Sequence, residues 1–415
     1  MRVTVFSNGL GLGGTEKAAV RWASGLRDRG HDVEVIALQD GPRRSELDGA
    51  SVPSHIVHCE PAALAARLRT LRPDVIHAHA PGQPHVGDVL GEALASLHKI
   101  PVVQTNVFGR LDNPREDAWT DFRLFISWTS CVQAARRSFA RLDERFFERA
   151  SVAVYPLDPI EPPSVDAIAR FRESLGVRED DILLGRLSRP DPTKRTDLAT
   201  KAFRLAAERD PRLKLLLREP PADVASALRA ASDADRFVLL PATSDTTELN
   251  LTLAAVDVML HTSSLGESFG YGIAEPMNLG RPVVTHSVPW RDQAQIELVR
   301  HGECGFVAST PKAMAAAVLR LARSPERRTA FGAAARGHVR RLTDPDVSLD
   351  RLESALTAAA SGHSNPLVAD DLGHARRASR DLRTHQFGHG RGEQIALRPG
   401  YYRSRLHQYR RVRSR

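Results

Sequence analysis

Patterns of buried strands and helices alternate through most of this 415-residue chain. They form two blocks, residues 1–155 and 164–345, and a proline-rich segment at 156–163 separates them. Strands that alternate with helices along a chain form parallel sheets with helices on both faces. The sequence therefore predicts an α/β fold with two Rossmann-like domains, joined by the 156–163 linker and facing a central cleft. Strands are predicted at Arg2–Ser7, Asp32–Leu38, His55–His58, Asp74–Ala78, Pro101–Gln104, Leu124–Ser127, Val152–Tyr155, Ile182–Leu187, Leu213–Leu217, Phe237–Leu240, Val258–His261 and Pro282–Thr285.

The positive charge of the chain is concentrated near its end. The formal net charge is +8 at pH 7, and residues 371–415 hold twelve arginines against three carboxylates. The rest of the chain is therefore close to neutral, which argues against nucleic-acid binding by the two domains. A helix is predicted at 346–360 and a basic, mobile tail at 361–415.

The tail allows three interpretations. The arginines and tyrosines of residues 398–415 suit contact with anionic lipid headgroups at a membrane surface. They also suit RNA, which we consider less well supported. The third interpretation is compositional: only six of the 58 basic residues are lysine, as expected of a GC-rich bacterial genome.

Several classes of protein are disfavoured by simple sequence features. No apolar run approaches the roughly 18 residues of a membrane span, and glycines interrupt the N-terminus too early for a secretory signal. The three cysteines, at positions 59, 131 and 304, form no CxxC pair. We therefore expect a cytoplasmic protein without a disulfide framework or a cysteine-based zinc site.

A glycine-rich loop, Gly9-Leu-Gly11-Leu-Gly13-Gly14, lies between the first strand and a predicted helix for which Thr15 is the expected N-cap. Glycines let a phosphate approach the backbone, and the helix N-terminus offers unpaired N–H donors. The spacing also matches a dinucleotide-binding fingerprint, with Asp40 near the place of a ribose-binding acid. An NAD-dependent oxidoreductase is therefore one alternative, and a turn without a ligand is another.

A second segment, residues 263–284, places two carboxylates around a glycine-bearing turn. Seven residues separate Glu267 from Glu275, and Phe269 and Gly270 lie at the start of a predicted helix. One carboxylate can accept hydrogen bonds from two vicinal hydroxyls, while backbone N–H groups at a helix start suit an anion. The pattern indicates a ligand with two polyols and a phosphate between them, such as a nucleotide sugar.

This segment resembles the signature of the retaining glycosyltransferases of family 4, which have the two-domain GT-B fold. The resemblance extends over about residues 1–345. The other similar motifs are Gly13-Gly14-Thr15-Glu16, Arg72-Pro73-Asp74-Val75-Ile76-His77-Ala78-His79, Gly185-Arg186-Leu187-Ser188-Arg189 with Lys194, and Gly280-Arg281-Pro282-Val283-Val284. The resemblance implies transfer of a sugar from a nucleoside-diphosphate sugar to an acceptor hydroxyl with retention of configuration.

The resemblance also implies roles for single residues. Arg186 and Lys194 would neutralise the donor diphosphate as charge develops on the leaving group. Glu267 would contact hydroxyls of the donor sugar, and Glu275 would hold the ribose. With Arg186 and Lys194, Glu267 forms the expected catalytic set.

Further donor contacts are expected from the backbone of both domains. Phe269 and Gly270 would contact the sugar or phosphate, and Gly13 and Gly14 would approach the diphosphate from the other domain. The base would lie near Pro241–Thr243. His79 and Asn106 are possible contacts to the sugar or the acceptor.

Three departures from the family pattern bear on the chemistry. Asn106 stands where many members carry a histidine, and an amide cannot titrate near neutral pH. Tyr155-Pro156-Leu157-Asp158 replaces the usual Asn-Gly-x-Asp, and prolines lengthen the loop between Arg189 and Lys194. A non-catalytic sugar-nucleotide-binding relative therefore remains a further alternative.

No metal or other cofactor is expected. His77 and His79 share one face of a strand, but no third ligand is evident in the sequence. Asp233-Ala-Asp235 matches a metal-binding D-x-D only in a polar loop without supporting context. The expected partners are a nucleotide-sugar donor and a glycan, lipid-linked or small-molecule acceptor.

Overall fold

The first domain of the computed structural model is built on a parallel sheet. The structure describes residues 1–80, 84–109, 111, 114–137, 142–287 and 291–387. The strands of the first domain are β1 (Arg2–Ser7), β2 (Asp32–Ala37), β3 (Ser54–Ile56), β4 (Val75–Ala80), β5 (Val102–Asn106), β6 (Phe122–Phe125) and β7 (Ala150–Val152). They pair in the order β3-β2-β1-β4-β5-β6-β7, and all these pairings are parallel.

Helices connect these strands, as parallel pairing requires. They are α1 (Gly14–Asp28), α2 (Arg44–Gly49), α3 (Pro61–Leu71), α4 (Pro84–Ala95), α5 (Pro114–Asp117), α6 (Trp128–Arg137) and α7 (Glu144–Phe147). The strand order reverses between β1 and β4, so the cleft outside the carboxyl ends of these strands is where a ligand would bind.

The second domain repeats the arrangement. Its strands are β8 (Ile182–Leu187), β9 (Leu213–Arg218), β10 (Phe237–Leu240), β11 (Val258–His261), β12 (Gly266–Glu267), β13 (Val283–His286), β14 (Asp292–Gln293) and β15 (Gly305–Ala308). The main sheet has the order β10-β9-β8-β11-β13-β15, while β12 and β14 pair separately. Its helices are α8 (Val165–Ser174), α9 (Thr196–Ala207), α10 (Ala222–Arg229), α11 (Thr246–Ala255), α12 (Tyr271–Asn278), α13 (Gln295–Leu298), α14 (Pro311–Ala322) and α15 (Pro325–Leu342), and short 3-10 turns lie at Pro192–Lys194 and Ala234–Arg236.

The predicted fold class is confirmed: two parallel α/β domains each show the reversed strand order of a Rossmann sheet. Four of the twelve predicted strands, β1, β8, β10 and β11, have the predicted bounds, and the other eight differ by one to three residues at one end or both. Among the described residues, no helix is long and apolar enough to cross a bilayer.

The segment between the two domains is extended and is held by hydrogen bonds. The predicted linker, 156–163, lies between β7 and α8, and this stretch contains no helix or strand. The Leu157 N–H donates to the Thr343 carbonyl at 3.0 Å, and the Ile160 N–H donates to Asn278 Oδ1 at 3.1 Å. The linker is therefore fastened to the second domain over most of its length.

The last two described helices return to the first domain. The helix predicted at 346–360 is α16 (Pro345–Ser361), and it packs against α1 and against β4 to β7. The indole N–H of Trp22 in α1 donates to Ser348 Oγ at 2.9 Å. The first domain is thus completed by residues from the far end of the chain.

A further helix, α17 (Val368–Phe387), differs from the sequence prediction, which places these residues in a mobile tail. Its apolar face is buried against α6 and α7. The buried side chains on this face are Leu372, Ala375, Ala378 and Leu382. These residues recur at helical spacing, but two of the four are alanines and all lie among Ser, Gly, His and Asp, so composition alone predicts mobility. Residues 388–415, which include the rest of the predicted tail, lie outside the described residues.

Candidate functional site

The starts of helices α1 and α12 meet across the two domains. Gly13 is the N-cap of α1, which begins at Gly14, so the prediction that Thr15 caps this helix is wrong. Gly270 precedes α12 with φ of +108°, a conformation that favours glycine. A Cβ added to Gly14 would lie 3.1 Å from Cδ2 of Tyr271. Both predicted glycine loops therefore lie at one domain junction, where two helix N-termini present backbone N–H donors.

One turn into each helix, an ion pair joins the two domains. Lys17 Nζ of α1 lies 2.7 Å from Glu275 Oε1 of α12. The same ammonium lies 4.8 Å from the centre of the Tyr271 ring. The Glu275 side chain is 17% exposed, and a Cβ added to Gly272 would meet nothing within 4 Å. The carboxylate predicted to hold a ribose is therefore partly exposed and is paired with a cation from the opposite domain.

The second predicted carboxylate, Glu267, sits in a network of polar side chains. Its Oε1 accepts hydrogen bonds from Lys194 Nζ at 2.7 Å and from His261 Nε2 at 2.9 Å. The Glu267 backbone N–H donates to Gln295 Oε1. Burial raises the pKa of Glu267, but His261 and then Lys194 outweigh burial and lower it to about 2. The carboxylate is therefore ionised at neutral pH and acts as a hydrogen-bond acceptor rather than an acid.

A side chain that binds a phosphate directly is expected to be accessible to it, whereas Arg186 has a buried side chain that hydrogen-bonds to protein oxygens. Its side chain leaves β8 into the protein and the residue is only 2% exposed. Nη2 donates to the carbonyls of Lys194 at 2.6 Å and Thr262 at 3.3 Å, Nε donates to Thr262 Oγ1, and Nη1 donates to the Leu187 carbonyl. Burial lowers the pKa of the guanidinium to about 10. Arg186 thus fixes the turn that carries Lys194.

Phe269 contributes a buried ring to a cluster that spans both domains. Its centroid lies 4.8 Å from that of Tyr271 and 5.5 Å from that of Tyr155. Tyr155 in turn packs against Trp22 at 5.4 Å. The Tyr271 hydroxyl donates to the Pro156 carbonyl at 3.2 Å. These rings brace the junction on which the two helix starts rest.

The predicted contact of His79 with a sugar or acceptor does not fit its position. His77 and His79 share one face of β4, as predicted, and both are fully buried. His79 Nε2 hydrogen-bonds the Tyr155 hydroxyl at 2.7 Å, and His77 Nε2 hydrogen-bonds Thr105 Oγ1 at 2.7 Å. Burial lowers the pKa of both rings, that of His77 to about 3. Asn106 ends β5 and is 7% exposed; its role stays a prediction.

The segment expected near the base is held by a buried arginine. Arg218 donates to the Pro241 carbonyl at 3.0 Å and to Glu248 Oε1 at 2.8 Å. Glu248 Oε2 accepts from the hydroxyl of Thr243. This arrangement fixes the course of residues 241–243 beside β10.

The two candidate metal sites are His77 with His79 and Asp233 with Asp235, and the side chains of His77, His79 and Asp233 bond to other protein groups. Asp233, the first residue of the D-x-D match, accepts two hydrogen bonds from Arg204 at 2.8 and 2.9 Å. Within the part of the chain that the structure describes, no three His, Cys, Asp or Glu residues are grouped as metal ligands.

Two family models match the chain side by side. The Glycosyl transferase 4-like domain matches residues 13–183, and Glycosyl transferases group 1 matches residues 167–338. Together they extend from the first glycine loop to α15. This chain belongs to the glycosyltransferases.

Similar proteins support this assignment. A D-inositol 3-phosphate glycosyltransferase from Actinosynnema mirum is 26% identical over 395 residues, covering 84% of this chain and 91% of that protein. The structure of Anabaena HepE in complex with UDP superposes with a TM-score of 0.72 at 19% identity, covering 86% of this chain and 100% of HepE. A glycosyltransferase from Rickettsia africae gives a TM-score of 0.69 at 15% identity, covering 85% and 98%. The two structures are similar to this glycosyltransferase in their GT-B fold.

The oxidoreductase alternative gains no support from these findings. Asp40, considered as a ribose-binding acid, accepts from the Gly41 N–H at 2.8 Å and from Arg44 at 3.0 Å. The glycine loop instead faces α12 of the second domain through the contact of Gly14 with Tyr271.

Two residues of this site were missed from the sequence. Lys17 follows the glycine loop by one helical turn, so it lies on the same helical face as Gly13 and Gly14, but its partner is 258 positions away. His261 ends the strand that leads to Glu267, a position at the ligand-facing edge of a parallel sheet. That edge rule could have identified His261, whereas nothing local in the sequence indicates Lys17–Glu275.

Proposed function

We propose that this glycosyltransferase moves a sugar from a nucleoside-diphosphate sugar to an acceptor hydroxyl, with retention of configuration and without a metal ion. The observation that carries the proposal is the junction of α1 and α12. There, the two helix N-termini meet, Lys17 pairs with Glu275, and Glu267 lies beside Gly270 at the start of α12. Helix N-termini suit the diphosphate, and Glu275 suits the two ribose hydroxyls.

The roles of the second-domain residues follow from their contacts. Lys194 is the nearest cation to Glu267 in the loop after β8, and its side chain is 26% exposed. It can therefore neutralise charge on the leaving diphosphate. Glu267, ionised and fixed by His261, accepts from hydroxyls of the donor sugar. Arg186 is a positioning residue, since its guanidinium holds the backbone that presents Lys194.

Retention of configuration is proposed from the resemblance to family 4. In such a reaction the acceptor attacks on the face from which the diphosphate leaves, and the leaving phosphate helps to take the acceptor proton. The protein then needs to position the reactants and stabilise charge rather than supply a nucleophile. With cations and helix N-termini available for the diphosphate, we expect transfer to continue in the presence of EDTA.

The relatives indicate which substrates to test first. HepE has been crystallised with UDP-glucose, so UDP-glucose is the first donor. The Actinosynnema relative is named for D-inositol 3-phosphate, so that compound is the first acceptor, followed by glycan and lipid-linked acceptors. Contact of residues 398–415 with a membrane stays a prediction.

The decisive experiment begins with binding. Thermal unfolding is measured with UDP, GDP, ADP, dTDP and NAD for the wild-type protein and for Glu275→Ala. A ligand at a hundredfold excess over its Kd stabilises by about 2.7 kcal/mol. We expect one nucleoside diphosphate to raise the Tm of the wild type by several degrees and to lose that effect in Glu275→Ala.

Transfer is then measured with the matching sugar nucleotides, and product configuration is read by NMR. Lys194→Ala should lower kcat more than it raises KM, while Glu326→Ala, an exposed carboxylate of α15, is the control. A shift with NAD alone, or Glu275→Ala and Lys194→Ala variants that behave like wild type, would contradict the proposal. Nucleotide binding without turnover would instead support the non-catalytic alternative.

A further inference from the structure

We infer that Lys17 is a donor-binding residue supplied by the first domain. When the donor binds, the Lys17 ammonium leaves Glu275, which then accepts from the ribose, and pairs with the diphosphate instead. The inference rests on the proposed function and extends it to a residue outside the family motifs identified above. The Lys17 side chain thus has one partner, Glu275, without donor and another, the diphosphate, with donor bound.

The first step of the argument is position. Side chains on a helix tilt toward its N-terminus, so Lys17 on α1 and Glu275 on α12 both reach back toward the two meeting helix starts. Lys17 Nζ lies 2.7 Å from Glu275 Oε1 and 4.8 Å from the centre of the Tyr271 ring. Tyr271 is the first residue of α12, where an anion would meet unpaired N–H groups. The ammonium is therefore within one helical turn of both the ribose acceptor and the phosphate donors.

The second step is competition. Lys17 already donates to Glu275 Oε1, one of the two oxygens that would accept the ribose hydroxyls. A ribose that takes both oxygens must compete with this ammonium, which then needs another anion. The side chain is 36% exposed and has four rotatable bonds, so it can swing to a phosphate that the adjacent helix starts hold. A charge-assisted contact to phosphate replaces the one to Glu275.

The third step is that the neighbouring cations, Arg21 and Arg43, have different ion-pair partners from Lys17. Arg21 lies one turn farther along α1 and pairs with Asp158 of the linker, with 42% of its side chain exposed. Arg43, the residue before α2, pairs with Glu46 of that helix. Both cations pair with carboxylates that are not predicted site residues, whereas Lys17 pairs with the predicted site residue Glu275.

The test compares a nucleoside diphosphate with its nucleoside. Both carry the same ribose, so competition at Glu275 cancels in the ratio of their affinities, and only contacts to phosphate remain. The variants are Lys17→Met, which keeps an apolar stem over Tyr271, and Arg21→Met as the matched control. The diphosphate is the one that binds wild type most tightly among UDP, GDP, ADP and dTDP, measured by calorimetry, and its nucleoside is measured by displacement.

We expect the diphosphate-to-nucleoside affinity ratio to fall at least fivefold in Lys17→Met and to stay unchanged in Arg21→Met. Nucleoside affinity itself should be unchanged or higher in Lys17→Met, because the ribose no longer competes with an ammonium. An unchanged ratio in Lys17→Met, or an equal fall in Arg21→Met, would overturn this inference but not the proposed function. Failure of the wild type to bind any of the four diphosphates would instead overturn the proposed function, and the inference with it.

Discussion

Burial distinguishes Arg186, which lies in β8, from Lys194 in the turn that follows this strand. Arg186 is 2% exposed and gives its hydrogen bonds to oxygens of Leu187, Lys194 and Thr262. Lys194 keeps part of its ammonium at the surface and reaches Glu267. Removing the buried guanidinium would take a donor from the carbonyls of Leu187 and Thr262, while the Lys194 carbonyl would keep the Thr262 hydroxyl. A buried group left without a partner costs about 1–3 kcal/mol. Loss of activity in an Arg186 variant would therefore report on the loop as much as on the phosphate.

At the scale of single residues, the pKa of Glu267 gives a prediction about stability. Its folded-state pKa of about 2 lies below the ordinary value of 4.5. The ionised carboxylate therefore contributes stability that is fully present above pH 4.5 and is lost as pH falls through 2. We expect the free energy of unfolding of wild type, relative to Glu267→Gln, to fall by about 3 kcal/mol across that window.

Urea unfolding at pH 7, 5 and 3.5 measures the upper part of this window, in which the difference should fall by about 1.4 kcal/mol. Glu173→Gln, an exposed residue of α8, controls for the substitution itself. A difference between wild type and Glu267→Gln that stays constant, or that grows toward low pH, would contradict the interactions of Glu267 with His261 and Lys194.

At the scale of elements, the sequence predicted helices well where a local signal marked them. Glycine loops marked the starts of α1 and α12, and both helices lie where the loops place them. Helix α17 has no such signal. Its buried apolar face has only two leucines beside two alanines, and it packs on α6, more than 200 residues earlier. Composition describes a segment in isolation and cannot reveal a partner that distant.

The packing of α17 makes a prediction about its contribution to stability. Leu382 is fully buried in the cluster that α17 forms with α6. Leu382→Ala should lower the free energy of unfolding by about 2–5 kcal/mol, the usual cost of a Leu-to-Ala cavity. Arg380→Ala, on the exposed face of the same helix, should change it by less than about 0.5 kcal/mol. Equal urea midpoints for these two variants would show that α17 does not depend on this contact.

At the scale of the whole molecule, the domains do not follow the order of the chain. The sequence indicated two blocks and a linker, and the two sheets form from those blocks. It did not indicate that α16 and α17 return to the first domain. The two domains are joined further by Glu297 of α13, whose carboxylate accepts from the N–H groups of Trp128 and Thr129 at the start of α6. Such contacts depend on residues distant in sequence, so no local pattern reveals them.

This return predicts that residues 1–163 cannot fold alone. Helix α16 buries Leu349, Leu352 and Leu356, and it packs against four strands of the first sheet and against α1. Arg29 at the end of α1 also pairs with three carboxylates of α16, those of Asp346, Asp350 and Glu353. Without α16, the part of the first sheet formed by β4 to β7 would lose its cover and the Trp22 indole would lose its hydrogen bond to Ser348. Apolar area exposed in this way is worth roughly 25 cal/mol per Å².

The test expresses residues 1–163 alone and fused through a Gly/Ser linker to residues 344–387. We expect the fusion to unfold cooperatively on heating and to give dispersed amide resonances, and the fragment alone to do neither. A fusion with Leu352→Asp should again lack a cooperative transition and dispersed resonances, like the fragment, because a carboxylate would then be buried against the sheet. A cooperative transition in residues 1–163 alone would show that the first domain has a sufficient core of its own, and that α16 only covers it.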